Sequence, residues 1–142
     1  MQRTILITGC SSGIGAAPAV ELHRRGHRVY ATARRLETLA PLAATGIDTL
    51  SLDVNDDASI AVVMSRIATE IGHLDILINN AGFSQVGAVV DLTREDLRSQ
   101  YETNVISPVA MTRAALPLLR AAHAVHGTAI VANVGSIVGL FT

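Results

Sequence analysis

The sequence predicts an α/β fold: a parallel sheet covered by helices on both faces. Two observations carry this. Short runs of β-branched and aliphatic residues alternate with amphipathic helical patterns, and cap or turn residues stand at nearly every junction. Strands this apolar belong in the middle of a three-layer structure, where both of their faces are buried.

The first strand is expected at Thr4-Ile5-Leu6-Ile7-Thr8, ending at Gly9. A helix follows from about Gly13 to Arg25, with Ile14, Ala17, Pro18 and Leu22 on one face and Gly26 in the capping position. Pro18 lies inside it and removes one internal hydrogen bond. Arg28 to Ala33 gives the second strand, and Leu36 to Ala44 a short helix stopping at Gly46. Thr49 to Val54 is the third strand. Asn55 is then placed to cap a helix whose Ile60, Val63, Met64, Ile67 and Ile71 share one face, with Gly72 ending it. Leu74 to Asn79 makes the fourth strand. Thr93, with Asp96 three residues on, forms a capping box for a helix carrying Leu97, Tyr101 and Val105. Pro108 should kink or restart that helix, which continues to about His123 before Gly127. Ala129 to Val134 is the fifth strand.

Composition narrows the function classes. The 142 residues make one domain, with 49 % hydrophobic and 16 % charged residues, a balance that excludes intrinsic disorder. A formal net charge of −1 argues against a nucleic-acid partner held by a basic field. The apolar runs are far too short to span a bilayer, and the first residues do not form a signal peptide. The single cysteine, Cys10, precludes an internal disulfide. A soluble, cytoplasmic protein with no membrane partner is therefore expected. All 11 basic Lys/Arg residues are arginines. Without lysine, the chain has no Walker A phosphate loop, no Schiff base and no lysine-assisted proton transfer.

The first strand runs directly into Gly9-Cys10-Ser11-Ser12-Gly13-Ile14-Gly15. A strand, a glycine-rich turn and a helix N-terminus together make an anion site, because unpaired N–H groups and the helix dipole point at the ligand. The same residues also read as a plain βα turn. Gly9-Cys10-Ser11-Ser12-Gly13 further matches the G-x-S-x-G nucleophile elbow, which would make Ser11 a serine-hydrolase nucleophile. Against this, only one strand precedes it, and no glycine-rich loop is available for an oxyanion hole. At the end of the second strand, the place of an acidic ribose ligand is held by Ala33, and Arg34 follows. An arginine fork there suits a 2′-phosphate, although two surface arginines at a helix start would look the same. Asp53, followed by Val54, either accepts from an adenine amino group or caps the next helix. Asn79-Asn80-Ala81-Gly82 ends a central strand, where such sheets hold ligands. His23/His27 and His123/His126 are pairs without a third ligand in reach, so no metal site is expected.

In order and spacing, these residues resemble the short-chain dehydrogenase/reductase family. The match comprises Thr8-Gly9-x-x-x-Gly13-Ile14-Gly15, Asp53, the Asn79-Asn80-Ala81-Gly82 run, Asn104 in Thr103-Asn104-Val105, and Ser136 after Asn133-Val134-Gly135. The resemblance covers the whole chain but only the N-terminal half or so of a typical member. It implies a doubly wound, Rossmann-type sheet of five strands in order 3-2-1-4-5, truncated, with residues 1–142 forming an incomplete dinucleotide-binding domain. It also implies hydride transfer between a nicotinamide cofactor and a small-molecule carbonyl or alcohol. Gly9, Ser11, Ser12, Gly13, Ile14, Gly15, Arg34, Asp53, Val54, Asn80, Ala81 and Gly82 are the expected cofactor contacts. Ser136 would orient the substrate oxygen, and Asn104 would hold a proton-relay water. With Arg34 after Ala33, NADP(H) is expected over NAD(H).

The family's acid/base tyrosine and its partner lysine are missing. Only Tyr30 and Tyr101 exist, and neither can substitute. The chain stops just before the place of that pair, so residues 1–142 alone should be inactive. The alternative reading is a non-catalytic module that binds a dinucleotide. The loop from Phe83 to Val90 is small and apolar, which fits an apolar substrate. The segment from Val105 to Val125 carries more apolar residues than one buried stripe needs. In the resembling family this long helix is a common interface, so homo-oligomerisation through the 94–123 helix is expected. Ala129 to Val134 would otherwise be an exposed apolar edge.

Overall fold

The computed structural model describes residues 1–136. Four-residue to six-residue strands β1 (Thr4–Ile7), β2 (Arg28–Ala33), β3 (Asp48–Ser51), β4 (Ile76–Asn79) and β5 (Ile130–Asn133) form one sheet. All pairings are parallel and the spatial order is β3-β2-β1-β4-β5. The carboxyl ends of all five strands therefore lie at the same end of the sheet. The chain turns back at β1, and that switch point is where doubly wound sheets open a crevice.

Alternation along β1 assigns the two faces. Leu6 joins Tyr30, Leu50, Leu77 and the buried stripe of α3 (Asp57–Glu70) and α5 (Ser107–His126) in one cluster. Ile5 and Ile7 point the other way, into a cluster with Ala19 of α1 (Gly13–Arg24) and Leu42 of α2 (Ala40–Ala43). Two cores on opposite faces of one sheet are what buried parallel strands require.

Element boundaries depart from the sequence expectation where partners decide them. β3 stops at Ser51 because β2 ends at Ala33, whose carbonyl takes one last bond from Leu52 N–H at 2.9 Å. Val54 consequently lies outside the strand. The short helix expected over Leu36 to Ala44 splits into a 3₁₀ turn (Leu36–Leu39) and α2, because Pro41 in the first turn of α2 has no N–H to continue an α ladder. The cap of α3 is Asp56, not Asn55: the Asp56 carboxylate accepts from Ala58 N–H at 3.0 Å. Pro18 lies inside α1, four residues after Ile14, an exposed residue in the first turn of the helix.

Thr93 and Asp96 form the expected capping box of α4 (Arg94–Tyr101). Pro108 marks the expected restart of the helix. A π-helical segment, Glu102–Ile106, joins α4 to α5, and Pro108 falls in the first turn of α5, where its missing N–H costs nothing. α5 extends to His126, past the expected end. Among the described residues, no helix is long and apolar enough to cross a membrane.

Candidate functional site

A cleft of about 530 Å³ opens at the carboxyl ends of β1, β2, β3 and β4. Its first wall is the turn from β1 into α1. Gly9 has φ +73°, and a Cβ there would sit 2.7 Å from the Ala81 Cα. A Cβ on Gly15 would lie 2.4 Å from Asn80 Nδ2 and 2.5 Å from the Gly9 carbonyl. Only glycines let the turn close onto β4 in this way. Ser11, Ser12, Gly13 and Ile14 line the same wall. Ser12 occupies the N-cap of α1, yet its side chain caps nothing, and no acidic residue stands in the first turn. The N–H groups of that turn are therefore without a side-chain cap.

The other walls come from strand ends. Ala33 and Arg34 line the cleft beyond β2. Among the described residues, the Arg34 guanidinium makes no ion pair, whereas its neighbour Arg35 lies 3.9 Å from Glu37. Asp53 and Val54 line the cleft beyond β3. Asp53 does not cap α3; its Oδ1 accepts Asn55 N–H at 3.0 Å and its own N–H donates to Ser59 Oγ at 3.0 Å. Asn80, Ala81 and Gly82 form the floor after β4. The Asn80 amide is fixed from below, because Nδ2 donates to the carbonyls of Thr8 and Gly9 at 2.9 and 3.0 Å.

All twelve residues singled out as cofactor contacts thus meet in one cleft. Six more line it that the sequence reading did not place there: Ala33, Leu52, Asn55, Phe83, Ser99 and Thr103. Ala33, which replaces an acid at the end of β2, is itself part of the wall. Asn55 is the most informative of the rest. Its Nδ2 donates to Thr103 Oγ1 at 2.9 Å and its Oδ1 accepts from Ser107 Oγ at 2.6 Å. It ties the loop after β3 to the π segment across 48 and 52 positions of sequence, a link that no local pattern reveals.

Asn104 and Ser136 do not line the cleft. The Asn104 amide is paired with the backbone of Phe83, accepting its N–H at 3.1 Å and donating to its carbonyl at 2.8 Å. Ser136 is exposed beyond the end of β5. Asn79 lies below the cleft, where Nδ2 donates to Asn133 Oδ1 at 2.8 Å and braces β4 against β5. No histidine lines the cleft, which leaves the hydrolase reading of Ser11 without a base there among the described residues. Cys10 is buried within the turn, and burial pushes its thiol up to about 11. It fills space and offers no thiolate at neutral pH. Val86, Val89 and Val90, in the apolar loop beyond Phe83, are 90 %, 87 % and 91 % exposed.

The histidines do not divide into the two sequence pairs. His126 Nδ1 lies 2.6 Å from Asp75 Oδ1, and His73 Nε2 lies 3.6 Å from Asp75 Oδ2. The expectation that His126 has no further ligand in reach is corrected by this contact. It was invisible locally because 51 positions separate the two residues.

Comparison with known proteins agrees with the geometry. The family model described as short chain dehydrogenase matches residues 3–142. A short-chain dehydrogenase/reductase of Pestalotiopsis microspora is 43 % identical over 119 residues, covering 83 % of this chain and 43 % of that protein. An NADP-dependent 3-hydroxy acid dehydrogenase of Schizosaccharomyces pombe is 37 % identical over 146 residues, covering 96 % of this chain and 55 % of that one. The crystal structure of a short-chain dehydrogenase from Streptomyces avermitilis superposes with a TM-score of 0.90 at 38 % identity, covering all of this chain and 52 % of that one. The chain spans about half the length of the relatives it matches.

Proposed function

This chain belongs to the short-chain dehydrogenase/reductase family, and from that premise we propose that its cleft binds NADP(H) in preference to NAD(H). In the complete protein the reaction is hydride transfer between that cofactor and the carbon of a small-molecule carbonyl or secondary alcohol. The observation that carries the cofactor preference is the end of β2. Ala33 offers no carboxylate to a ribose 2′-hydroxyl, and Arg34 lines the cleft with its guanidinium in no ion pair among the described residues. The NADP dependence stated for the Schizosaccharomyces pombe relative supports the same direction.

Each wall has a part in this reading. The N–H groups of Ser11 to Gly15, at the uncapped start of α1, bind the pyrophosphate. Arg34 forks onto the 2′-phosphate. Asp53 and Val54 border the adenine, while Asn80, Ala81 and Gly82 hold the far end against the sheet. A nicotinamide held there would supply or accept the hydride. Ser136 would orient the substrate oxygen, and Asn104 would position a relay water once its amide is released from the Phe83 backbone.

Residues 1–142 by themselves turn over no substrate. The sequence holds no lysine, Tyr30 is fully buried with its hydroxyl donating to Glu70 at 2.7 Å, and Tyr101 lies exposed on α4. General acid/base catalysis contributes roughly 10²–10⁴-fold, and here it has no donor. Leu97, Tyr101, Val105, Ile106, Val109 and Leu116 form an exposed apolar face along α4, the π segment and α5, through which the protein self-associates in the cytoplasm.

Fluorescence titration with NADPH and NADH tests the cofactor reading. A charge-assisted contact to phosphate predicts roughly tenfold or more tighter binding of NADPH. Equal affinities, or a preference for NADH, overturn it. Carbonyl reduction by a chain shown by intact mass to end at Thr142 would overturn the assignment of inactivity, and sedimentation tests the self-association.

A further inference from the structure

At the end of the sheet opposite the cleft, Arg3 and Asp75 immediately precede β1 and β4, and His126 closes the last turn of α5. Asp75 is 1 % exposed in its side chain and lies beside two imidazoles. His126 Nδ1 is 2.6 Å from Oδ1 and His73 Nε2 is 3.6 Å from Oδ2. The two rings meet edge to face, with centroids 5.1 Å apart and planes at 81°. One ligand atom from each of His73, Asp75 and His126 lies within 4.8 Å of the other two.

The geometry points to a divalent transition-metal site, best suited to zinc(II), formed by His73, Asp75 and His126. Two imidazole nitrogens and one carboxylate oxygen are a zinc-type donor set, and three protein ligands leave a fourth position for water. Bonds of about 2.0–2.1 Å in a tetrahedral arrangement place neighbouring ligand atoms about 3.3 Å apart. His73 Nε2 lies 3.6 Å from Oδ2, already close to this. His126 Nδ1 lies 2.6 Å from the other oxygen, Oδ1, and gives up that hydrogen bond and its proton when the ring shifts to share the ion, a rearrangement within a cluster whose ligand atoms already lie inside 4.8 Å of one another.

The rest of the carboxylate is engaged as a ligand's surroundings should be. Oδ1 also accepts from Arg3 Nη1 at 2.8 Å, and Oδ2 accepts from Thr4 N–H at 2.8 Å. A carboxylate offers about four lone-pair sites, so these two bonds leave the sides facing the imidazoles to the ion. They fix the orientation of Asp75, the role that outer hydrogen bonds play around metal ligands. His73 and His126 are 24 % and 13 % exposed in their side chains, which provides an entry path and room for the water. The C-terminal end of a 20-residue helix adds a favourable field for a cation at His126.

The ion would bind together the starts of β1 and β4 and the end of α5. It lies away from the dinucleotide cleft, so the inference stands independently of the proposed reaction.

Cobalt(II), a spectroscopic stand-in for zinc(II), provides the test on the purified, chelator-treated chain. One ion per chain, visible d–d absorption of a low-coordinate site and a zinc-dependent rise in Tm are expected. His73→Gln and His126→Gln should each weaken binding at least about tenfold while retaining the far-ultraviolet circular dichroism of the parent. His23→Gln, in the other sequence pair, should bind as the parent does. Absence of saturable uptake at micromolar ion overturns the proposal. So does undiminished binding in both His73 and His126 variants, or loss of binding in His23→Gln alone.

Discussion

Thr8 and Asn80 hold one another reciprocally. The Thr8 hydroxyl accepts the Asn80 main-chain N–H at 3.0 Å, and Asn80 Nδ2 returns a bond to the Thr8 carbonyl at 2.9 Å. The same hydroxyl accepts Ala81 N–H at 2.9 Å, and Thr8 is 1 % exposed. Thr8→Val keeps the shape but strands two N–H groups. A loss of about 2–3 kcal/mol in urea unfolding is expected, with Thr8→Ser recovering most of it. A valine variant within about 0.5 kcal/mol of the parent would show that water replaces the hydroxyl at no cost.

Gly15 and Gly13 make a contrasting pair. Alanine at Gly15 must displace Asn80 Nδ2 or the Gly9 carbonyl, both within 2.5 Å of the new Cβ. Gly15→Ala should therefore destabilise the fold by about 1–3 kcal/mol and abolish measurable NADPH binding. At Gly13, φ is +57° but nothing lies within 4 Å of a Cβ. Gly13→Ala should show only backbone strain of about 1–2 kcal/mol. Equal effects of the two variants on dinucleotide affinity would argue against the cradle as the binding element.

Ala33 is 6 % exposed and lines the cleft. An aspartate there would accept from a ribose 2′-hydroxyl and repel a 2′-phosphate. Ala33→Asp should shift the preference toward NADH, through loss of a contact worth on the order of 1.5–3 kcal/mol to NADPH. Parallel titrations of parent and variant check this, and an unchanged ratio would detach Arg34 from the phosphate.

Cys10 supplies the pH dependence. Burial pushes its thiol up to about 11, with a backbone hydrogen bond to Thr32 only partly offsetting it, against about 8.5 in an unfolded chain. A raised pKa favours the protonated form, so the associated stability is intact below about pH 8.5 and lost as pH rises toward 11. Stability should fall by about 1.4 kcal/mol per pH unit in that window, and Cys10→Ala should lack this component. The folded protein should also resist thiol reagents at pH 8 and react on unfolding. Rapid labelling of the folded protein would overturn the assignment.

The cleft was largely legible in sequence because its parts are local. A glycine-rich turn after an apolar strand, and small or polar residues at strand ends, occupy positions that the parallel fold must bring together. What sequence hid was non-local or cooperative. Asp56 took the cap from Asn55 because Asn55 is drawn to Thr103 and Ser107. Nothing near His126 announces Asp75. Pro108 announces a kink or restart, but not the π-helical segment Glu102–Ile106 through which the helical path adjusts ahead of α5.

That adjustment has a geometric consequence. An α-helix advances about 100° per residue, and a π turn absorbs roughly one extra residue without ending the rod. The segment Glu102–Ile106 therefore works as a phase shifter between α4 and α5. It lets Met111, Ala115, Leu118 and Ala122 face the sheet while Leu97 and Tyr101 remain outside. Removing one residue from the segment would restore a uniform pitch and leave every remaining side chain chemically intact. It would also turn the α5 stripe about a quarter-circle away from its core, a frame error written in angle instead of in code.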